Sequence, residues 1–362
     1  MPGSRILLTG ADSLPGSHIL DLLLSDSNLS VRAVTRSEET AYIIPLQHRQ
    51  GTLSTLDLTV IPEAELALPG AFDTALVDNA DPFHAVIHTL TASPSDQADC
   101  LANLINLETE TVIQFLRSVQ VFAKEVRRVV IVTSLTPYAR WLAEPQVDRN
   151  RRGPVDVQGT VRVDPEYVLA TSKASDNIIY EAVSKWLRES GARFDIAWTT
   201  APSIYGPSIR RLETSSDLLE ANRRVWNILS NERRERMEAP PYGITHFLDV
   251  RDLALGAVRA VFNPQAGGKR FFITAGIMPS GSEIAKLLVA SFPGLQGRVR
   301  MDGSPPVPPL EEDPSLDMTD TYLATTILGF LQYYSAEQTL TDTARQIVDL
   351  QQRKDWRRII QS

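Results

Sequence analysis

Short apolar runs alternate along the chain with longer stretches in which apolar side chains recur at helical spacing. Residues 6–9, 31–35, 85–89, 128–133 and 194–199 are the short runs, and RVVIVT at 128–133 is the most strand-like of them. Residues 18–24, 104–123 and 171–190 carry the helical spacing. A strand that is apolar throughout, without alternation, is covered on both faces. Such strands separated by helices form a parallel, doubly wound sheet with right-handed crossovers. The pattern predicts an α/β Rossmann fold, with a seven-stranded parallel sheet from residues 1–207 and about 244–275. A smaller C-terminal substrate-binding lobe would take residues 208–243 and 276–362.

Two segments break the rhythm. Residues 144–165 are polar, Arg-rich and weakly periodic, and read as a long loop of the kind that carries function. Residues 303–314 hold five prolines and an acidic pair and read as a surface crossing. Beyond them, 322–360 is helical, with Lys354, Arg357 and Arg358 compensating the helix C-terminus.

Composition narrows the partners. A net charge of −8 over 362 residues disfavours nucleic acid and anionic membrane surfaces, which require a basic face. Cys100 is the single cysteine, so a disulfide framework and a cysteine zinc cage are both excluded. No stretch approaches the roughly 20 apolar residues of a membrane span. The first strand starts by Arg5, ahead of which a signal peptide has no room. The expectation is a cytoplasmic protein with a small-molecule substrate and no metal, as a monomer or homodimer.

Thr9-Gly10-Ala11-Asp12-Ser13-Leu14-Pro15-Gly16 follows the first strand and opens a helix. Glycine lets backbone approach a pyrophosphate, and a helix N-terminus offers it N–H groups. Gly10 and Gly16 fit the outer glycines of a dinucleotide turn, with Ser13 and Leu14 between them. Ser13 adds a side chain where bare backbone is preferred. The second strand ends in Thr35-Arg36-Ser37, where NAD-type sites place an acid on the ribose 2′-hydroxyl. Arg36 suits a 2′-phosphate instead and favours NADP(H) over NAD(H); the alternative is a solvated arginine.

Further along stand His88-Thr89, Thr91-Ala92-Ser93-Pro94, Asn106, RVVIVTS at 128–134, Asp164-Pro165, Ser172-Lys173, Ala201-Pro202-Ser203-Ile204-Tyr205-Gly206-Pro207, Phe247-Leu248-Asp249-Val250-Arg251-Asp252 and Leu328-Gly329-Phe330. In this order and spacing, the chain resembles extended short-chain dehydrogenase/reductases of the NAD-dependent epimerase/dehydratase superfamily. Among these it is similar to fungal methylglyoxal-type aldehyde and ketone reductases and plant dihydroflavonol reductases. The resemblance implies a cofactor site that includes Thr89, Lys173, Pro202 and Ile204. It also implies a serine after the fifth strand and a Tyr-x-x-Ser-Lys segment. There tyrosine gives the proton, lysine lowers its pKa and holds the ribose, and serine positions the carbonyl. Ser172-Lys173 sets the register, and the tyrosine position is Leu169 while the serine position is Leu135. Leucine has neither proton nor hydrogen bond to offer, and a general acid contributes about 10²–10⁴-fold.

Substitute donors are Tyr205, Tyr138, Ser134 or water, while Leu135, Leu169, Ser203 and Tyr138 would line the substrate pocket. Tyr167 lies about 120° around the helix from Lys173 and is expected to pack or face solvent. Tyr180 lies about 10 Å deeper on the face of Lys173. His88 and His246 read as core or loop-anchoring histidines. Three functions remain open. One is a non-redox isomerisation, cyclisation or dehydration of an apolar natural-product-like metabolite, favoured by the two leucines. The second is NADPH-dependent reduction of a carbonyl or imine with a substitute donor. The third is a non-catalytic nucleotide-binding or interaction protein.

Overall fold

The computed structural model of the chain describes residues 4–48, 55–66, 68–77, 81–89, 101–143, 165–218, 220–230, 244–297, 299 and 318–361. Strand β1 (Ser4–Thr9) leads into α1 (Leu14–Leu24), β2 (Leu29–Thr35) into α2 (Glu38–Gln47), and β3 (Leu56–Val60) into the short α3 (Asp73–Leu76). Then come β4 (Ala85–His88), α4 (Leu101–Phe122), β5 (Arg128–Ser134), α5 (Thr136–Ala143), α6 (Pro165–Ser190) and β6 (Asp195–Ala201). Next follow β7 (Ser203–Tyr205), α7 (Glu220–Ser230), β8 (His246–Asp249), α8 (Val250–Phe262), β9 (Arg270–Phe272) and β10 (Gly276–Ile277). The chain closes with α9 (Gly281–Ser291), α10 (Met318–Thr326) and α11 (Ala336–Gln361).

Seven strands pair in the order β3-β2-β1-β4-β5-β6-β9, all parallel, as the unbroken apolar runs predict. Adjacent residues of one strand face opposite layers. Ile6 and Leu8 pack with Ile19, Leu20 and Leu23 of α1 and Leu253, Ala254 and Ala257 of α8. Leu7 packs on the other side with Phe115, Leu116 and Val119 of α4 and Val183 of α6. The same division runs through β5, with Val130 and Val132 on the first side and Val129 and Ile131 on the second. Each such side chain, buried, contributes about 1.5–3 kcal/mol. Alternation would have exposed one of these faces, so its absence in the sequence is the sheet's signature.

A second, smaller sheet was not expected. It pairs β7 parallel to β8 and β8 antiparallel to β10. Its strands are too short for periodicity to mark. Above it, α7, α9 and α11 close a separate apolar cluster around Val225, Trp226, Ile284, Leu288, Leu340 and Ile347. Strand β3 was likewise not read from the sequence. Helix α6 starts at Pro165 rather than 171, with proline in the first turn, where its missing N–H costs nothing. The helical region expected over 322–360 divides in two. Gly329, between α10 and α11, has φ 71, a left-handed conformation that suits glycine. The 144–164 segment, the 303–314 crossing and Thr91-Ala92-Ser93-Pro94 lie outside the described residues. Among the described residues no helix is long and apolar enough to cross a membrane.

The two layers are tied at the start of α8. Asp249 is fully buried; it caps α8 by accepting from the Arg251 N–H, pairs with the Arg251 guanidinium at 2.7 Å, and accepts from Thr339 Oγ1 of α11 at 2.7 Å. Arg251 also reaches Asp342 of α11 at 2.8 Å. Asp249→Ala removes the cap, the Thr339 hydrogen bond and one of the two carboxylates on Arg251, so urea unfolding is expected to show a loss of about 1–3 kcal/mol. Asp342→Ala, at the partly exposed end of the network, should cost no more than about 1 kcal/mol.

Candidate functional site

The turn between β1 and α1 is built on close backbone contact. Gly10 takes φ 70, and a Cβ on Gly16 would stand 1.9 Å from the Gly10 carbonyl oxygen. Ser13 does not project into the space a phosphate would take. Its hydroxyl donates to the Gly10 carbonyl at 2.7 Å and accepts from the Gly16 N–H at 3.0 Å, capping α1. Pro15 carries no N–H, and Ser17 N–H is taken by the Ser13 carbonyl. The Leu14 N–H is thus the donor at this helix end without a partner among the described residues. The turn therefore fits close approach of a pyrophosphate, with the helix dipole behind it and fewer N–H groups than a bare glycine turn offers.

Arg36, at the end of β2, donates through Nε to Asp12 of the same turn at 2.9 Å and stands 3.8 Å from Glu63. The other Asp12 oxygen is buried without a partner among the described residues. Arg36, Ser13 and Leu14 line a cavity of about 350 Å³ whose far wall comes from Arg210, Asp217 and Gln346.

A second cavity, of about 90 Å³, opens at the carboxyl ends of β4 and β5, where ligands of doubly wound sheets bind. It joins Pro15 and Thr89 to Ser134, Tyr138 and Ile204. Thr89 is fixed by donating to the Thr9 carbonyl at 2.7 Å. Its apolar wall is Val112, Val132, Ile179 and Trp198, and its polar wall includes Glu108 and Asp176. Tyr138 donates its hydroxyl to Glu108 Oε2, while Oε1 is buried with no partner among the described residues. Glu108 is 4% exposed, and burial, with the Asp176 charge nearby, pushes its carboxyl up to about 7. Burial also raises the Tyr138 phenol, keeping it a hydroxyl. Asp176 is raised by burial, against an ion pair with Arg270 and hydrogen bonds from Thr133 at 3.2 Å and Thr200 at 3.3 Å.

The expected pocket residues divide. Ser134 and Tyr138 reach the cavity; Leu135 and Leu169 do not. They come together, at 0% and 6% exposed, in a closed apolar cluster with Ala139, Val168, Ile244 and Phe272. Lys173 lies at the edge of this cluster, its Nζ 5.8 Å from the centroid of the Phe272 ring. Ser203 is buried with its hydroxyl unpartnered among the described residues, and the Pro202 carbonyl accepts from Thr136 at 3.4 Å. Tyr205, expected as a substitute donor, is 1% exposed and packs edge-on to Phe247 in the core of the second layer; it lines neither cavity. Tyr167 is 57% exposed, and Tyr180 packs against Trp198 and under Arg270. His88 is a core histidine, stacked on Phe115 at 4.1 Å and bonded to Thr9, with burial lowering its pKa to about 3.

Glu108 and Asp176 were missed by sequence reasoning, and a signal for both was present. Glu108 falls on the buried stripe of α4 with Leu104, Ile105, Val112 and Phe115, and Asp176 on the stripe of α6 with Leu169, Ser172, Ile179 and Val183. An acid on the apolar face of an amphipathic helix is buried with a partner or at a site. Among the described residues, no group of His, Cys, Asp and Glu could hold a metal ion.

No protein-family model matches the chain. An uncharacterized oxidoreductase of Schizosaccharomyces pombe is 25% identical over 354 residues, spanning 96% of this chain and 98% of that protein. The ketoreductase azaE of Aspergillus niger is 25% identical over 297 residues, 82% of this chain and 84% of its own. Among solved structures, the yeast methylglyoxal/isovaleraldehyde reductase complexed with NADPH matches with a TM-score of 0.70 at 21% identity, over 96% of this chain and 99% of that one. The UDP-glucuronic acid 4-epimerase of Bacillus cereus in complex with NAD matches with a TM-score of 0.58 at 16% identity, over 96% and 98%. The chain thus shares the Rossmann-like α/β fold of these reductase and epimerase structures.

Glu108 makes stability depend on pH. Its folded value, about 7, exceeds its ordinary 4.5, so the unfolded chain ionises first. The stability it contributes is whole below about 4.5 and is lost as pH rises through about 7, a change on the order of 3 kcal/mol. Urea unfolding of Glu108→Gln should lack this loss, so the variant gains on the wild type between pH 4.5 and 7.5. A constant difference would mean that Glu108 is already ionised in the folded protein.

Proposed function

We propose that the protein is an NADP(H)-dependent reductase acting on the carbonyl or imine of a small, largely apolar metabolite. One observation carries this reading: the small cavity joins the nucleotide turn, through Pro15 and Thr89, to a polar wall that holds transferable protons. The likeness to ketoreductases and to an NADPH-bound aldehyde reductase supports it. In this reading the core through residue 207 and the return over 244–275 hold the cofactor, and the lobe beyond closes over the substrate.

The chain's residues divide the work. Gly10 and Gly16 let the turn backbone approach the pyrophosphate, and the Leu14 N–H donates to it. Arg36 keeps its Nε on Asp12 and offers its outer edge to a 2′-phosphate. Lys173 would hold the ribose, the role the resemblance implies for it. Bound NADPH supplies the hydride. Val132, Ile179 and Trp198 exclude water from the reacting end of the substrate, and Ser134 orients its polar atom.

A second reading, non-redox isomerisation, cyclisation or dehydration, draws on Leu135 and Leu169, which stand in an apolar cluster at the positions where the resemblance implies the carbonyl anchor and proton donor. Deuteride-labelled NADPH separates the two: label in the product supports reduction, whereas turnover without label supports the second.

Fluorescence titration is expected to show tighter binding of NADPH than of NADH. Arg36→Ala should weaken NADPH by roughly tenfold to a hundredfold, the loss of one charge-assisted contact, and leave NADH nearly unchanged. Binding of neither cofactor by the wild type would sink the reductase reading.

A further inference from the structure

We propose that Glu108 is the proton donor of this site, taking the role that Leu169 and Leu135 have left. The assignment rests on the reductase reading above and names the acid that reading lacks. Three observations lead to it.

The first is position. Glu108 and Val112, one turn apart on α4, line the small cavity together with Ser134 and Thr89, at the carboxyl ends of the strands. A carbonyl compound whose reacting end enters this cavity is brought beside the Glu108 side chain. About 90 Å³ holds several waters or such a reacting end.

The second is the direction of the hydrogen bonds. Tyr138 donates its hydroxyl to Glu108 Oε2, so the tyrosine proton points at the carboxyl and not at the cavity. Glu108 Oε1 is buried and has no partner among the described residues. An unpaired buried carboxyl oxygen is costly unless something completes it. A proton on Oε1, given to a substrate oxygen or nitrogen, would do so.

The third is charge. From α5 Glu108 faces Tyr138, and from α6 Asp176, which is itself held by Arg270 of β9. Burial and the Asp176 charge both disfavour a second carboxylate here, and the Tyr138 hydrogen bond opposes them only in part. Asp176 has its cation, Glu108 has none, and the proton belongs to Glu108. An acid with a value of about 7 is matched to proton transfer at neutral pH.

The step balances as follows. The carbonyl carbon accepts a hydride from the reduced nicotinamide, and the π pair of the C=O bond moves to oxygen. The oxygen takes the proton of Glu108 Oε1, and the carboxylate recovers a proton from solvent. The sum is carbonyl, NADPH and one proton to alcohol and NADP⁺. An imine follows the same course, with nitrogen as the proton acceptor.

The test combines infrared spectroscopy with kinetics, using isovaleraldehyde, methylglyoxal and a cyclic imine as probes. The wild type should show a protonated-carboxyl band that titrates near pH 7 and is missing in Glu108→Gln. Turnover with NADPH should fall as pH rises through that value. Glu108→Gln should retain NADPH binding by titration and lose about 10²–10⁴-fold in kcat. Tyr138→Phe removes the hydrogen bond that lowers the Glu108 pKa, so both the band and the pH limb should move to higher pH.

A purely structural Glu108 would not produce this coupled movement. The assignment is overturned if Glu108→Gln keeps kcat within a few-fold, if the falling limb persists unchanged in that variant, or if no carboxyl band is lost with it. It is also overturned if Tyr138→Phe leaves both values in place. A wild type that binds NADPH but oxidises it with none of the three probes overturns the reductase reading and this assignment with it. An active wild type with an active Glu108→Gln variant overturns the assignment alone.

Discussion

A parallel sheet covered on both faces leaves no wet side, and this constraint governs every polar group at its carboxyl edge. Side chains that reach that edge from β4, β5, α4 or α6 lose water before they meet a ligand. The consequences are visible in one small region: His88 is held neutral, Glu108 is raised to about 7, and Asp176 is raised despite its ion pair. Each has been given a specific partner, Thr9, Tyr138 and Arg270 respectively. Unpaired, such groups would each cost several kcal/mol.

Within that frame, polarity has moved around the site. Leu135 and Leu169, at the positions where the family resemblance implies serine and tyrosine, pack in one apolar cluster with Phe272 and Ile244. Neither leucine lines the small cavity, which is bounded by residues of α4 and α5, among them Glu108 and Tyr138.

The nucleotide turn shows a comparable exchange. Ser13 stands where a third glycine would leave bare backbone, yet its hydroxyl is consumed within the turn, between Gly10 and Gly16. The close approach is kept by the outer glycines, since no Cβ fits on Gly16. Pro15 and the serine cap together reduce the N–H groups on offer, and the Asp12–Arg36 pair places opposite charges beside the same turn. On the proposed reading, recognition of an anion here would lean on the helix dipole and Arg36 more than on a row of amides.

Much of the fold was legible in the chain itself. Unbroken apolar runs such as Arg128–Ser134, spaced by amphipathic helices, specify buried parallel strands because no other arrangement covers both faces. The glycine spacing after β1 located the turn for the same local reason: backbone geometry is dictated by a few adjacent residues. The leucines at 135 and 169 also stand out in the chain, at positions where the resemblance implies serine and tyrosine. What they do was not legible there, because closure of their cluster depends on Ile244 and Phe272, far off in sequence. Tyr205 looked available from its motif, and only the packing of Phe247 and the second layer decided that it is core. The Glu108–Tyr138 pair spans 30 residues and two helices. Pattern alone marks Glu108 as an acid on an apolar face. Its partner, its protonation and its place in a cavity follow from desolvation by neighbours that only the tertiary structure assembles.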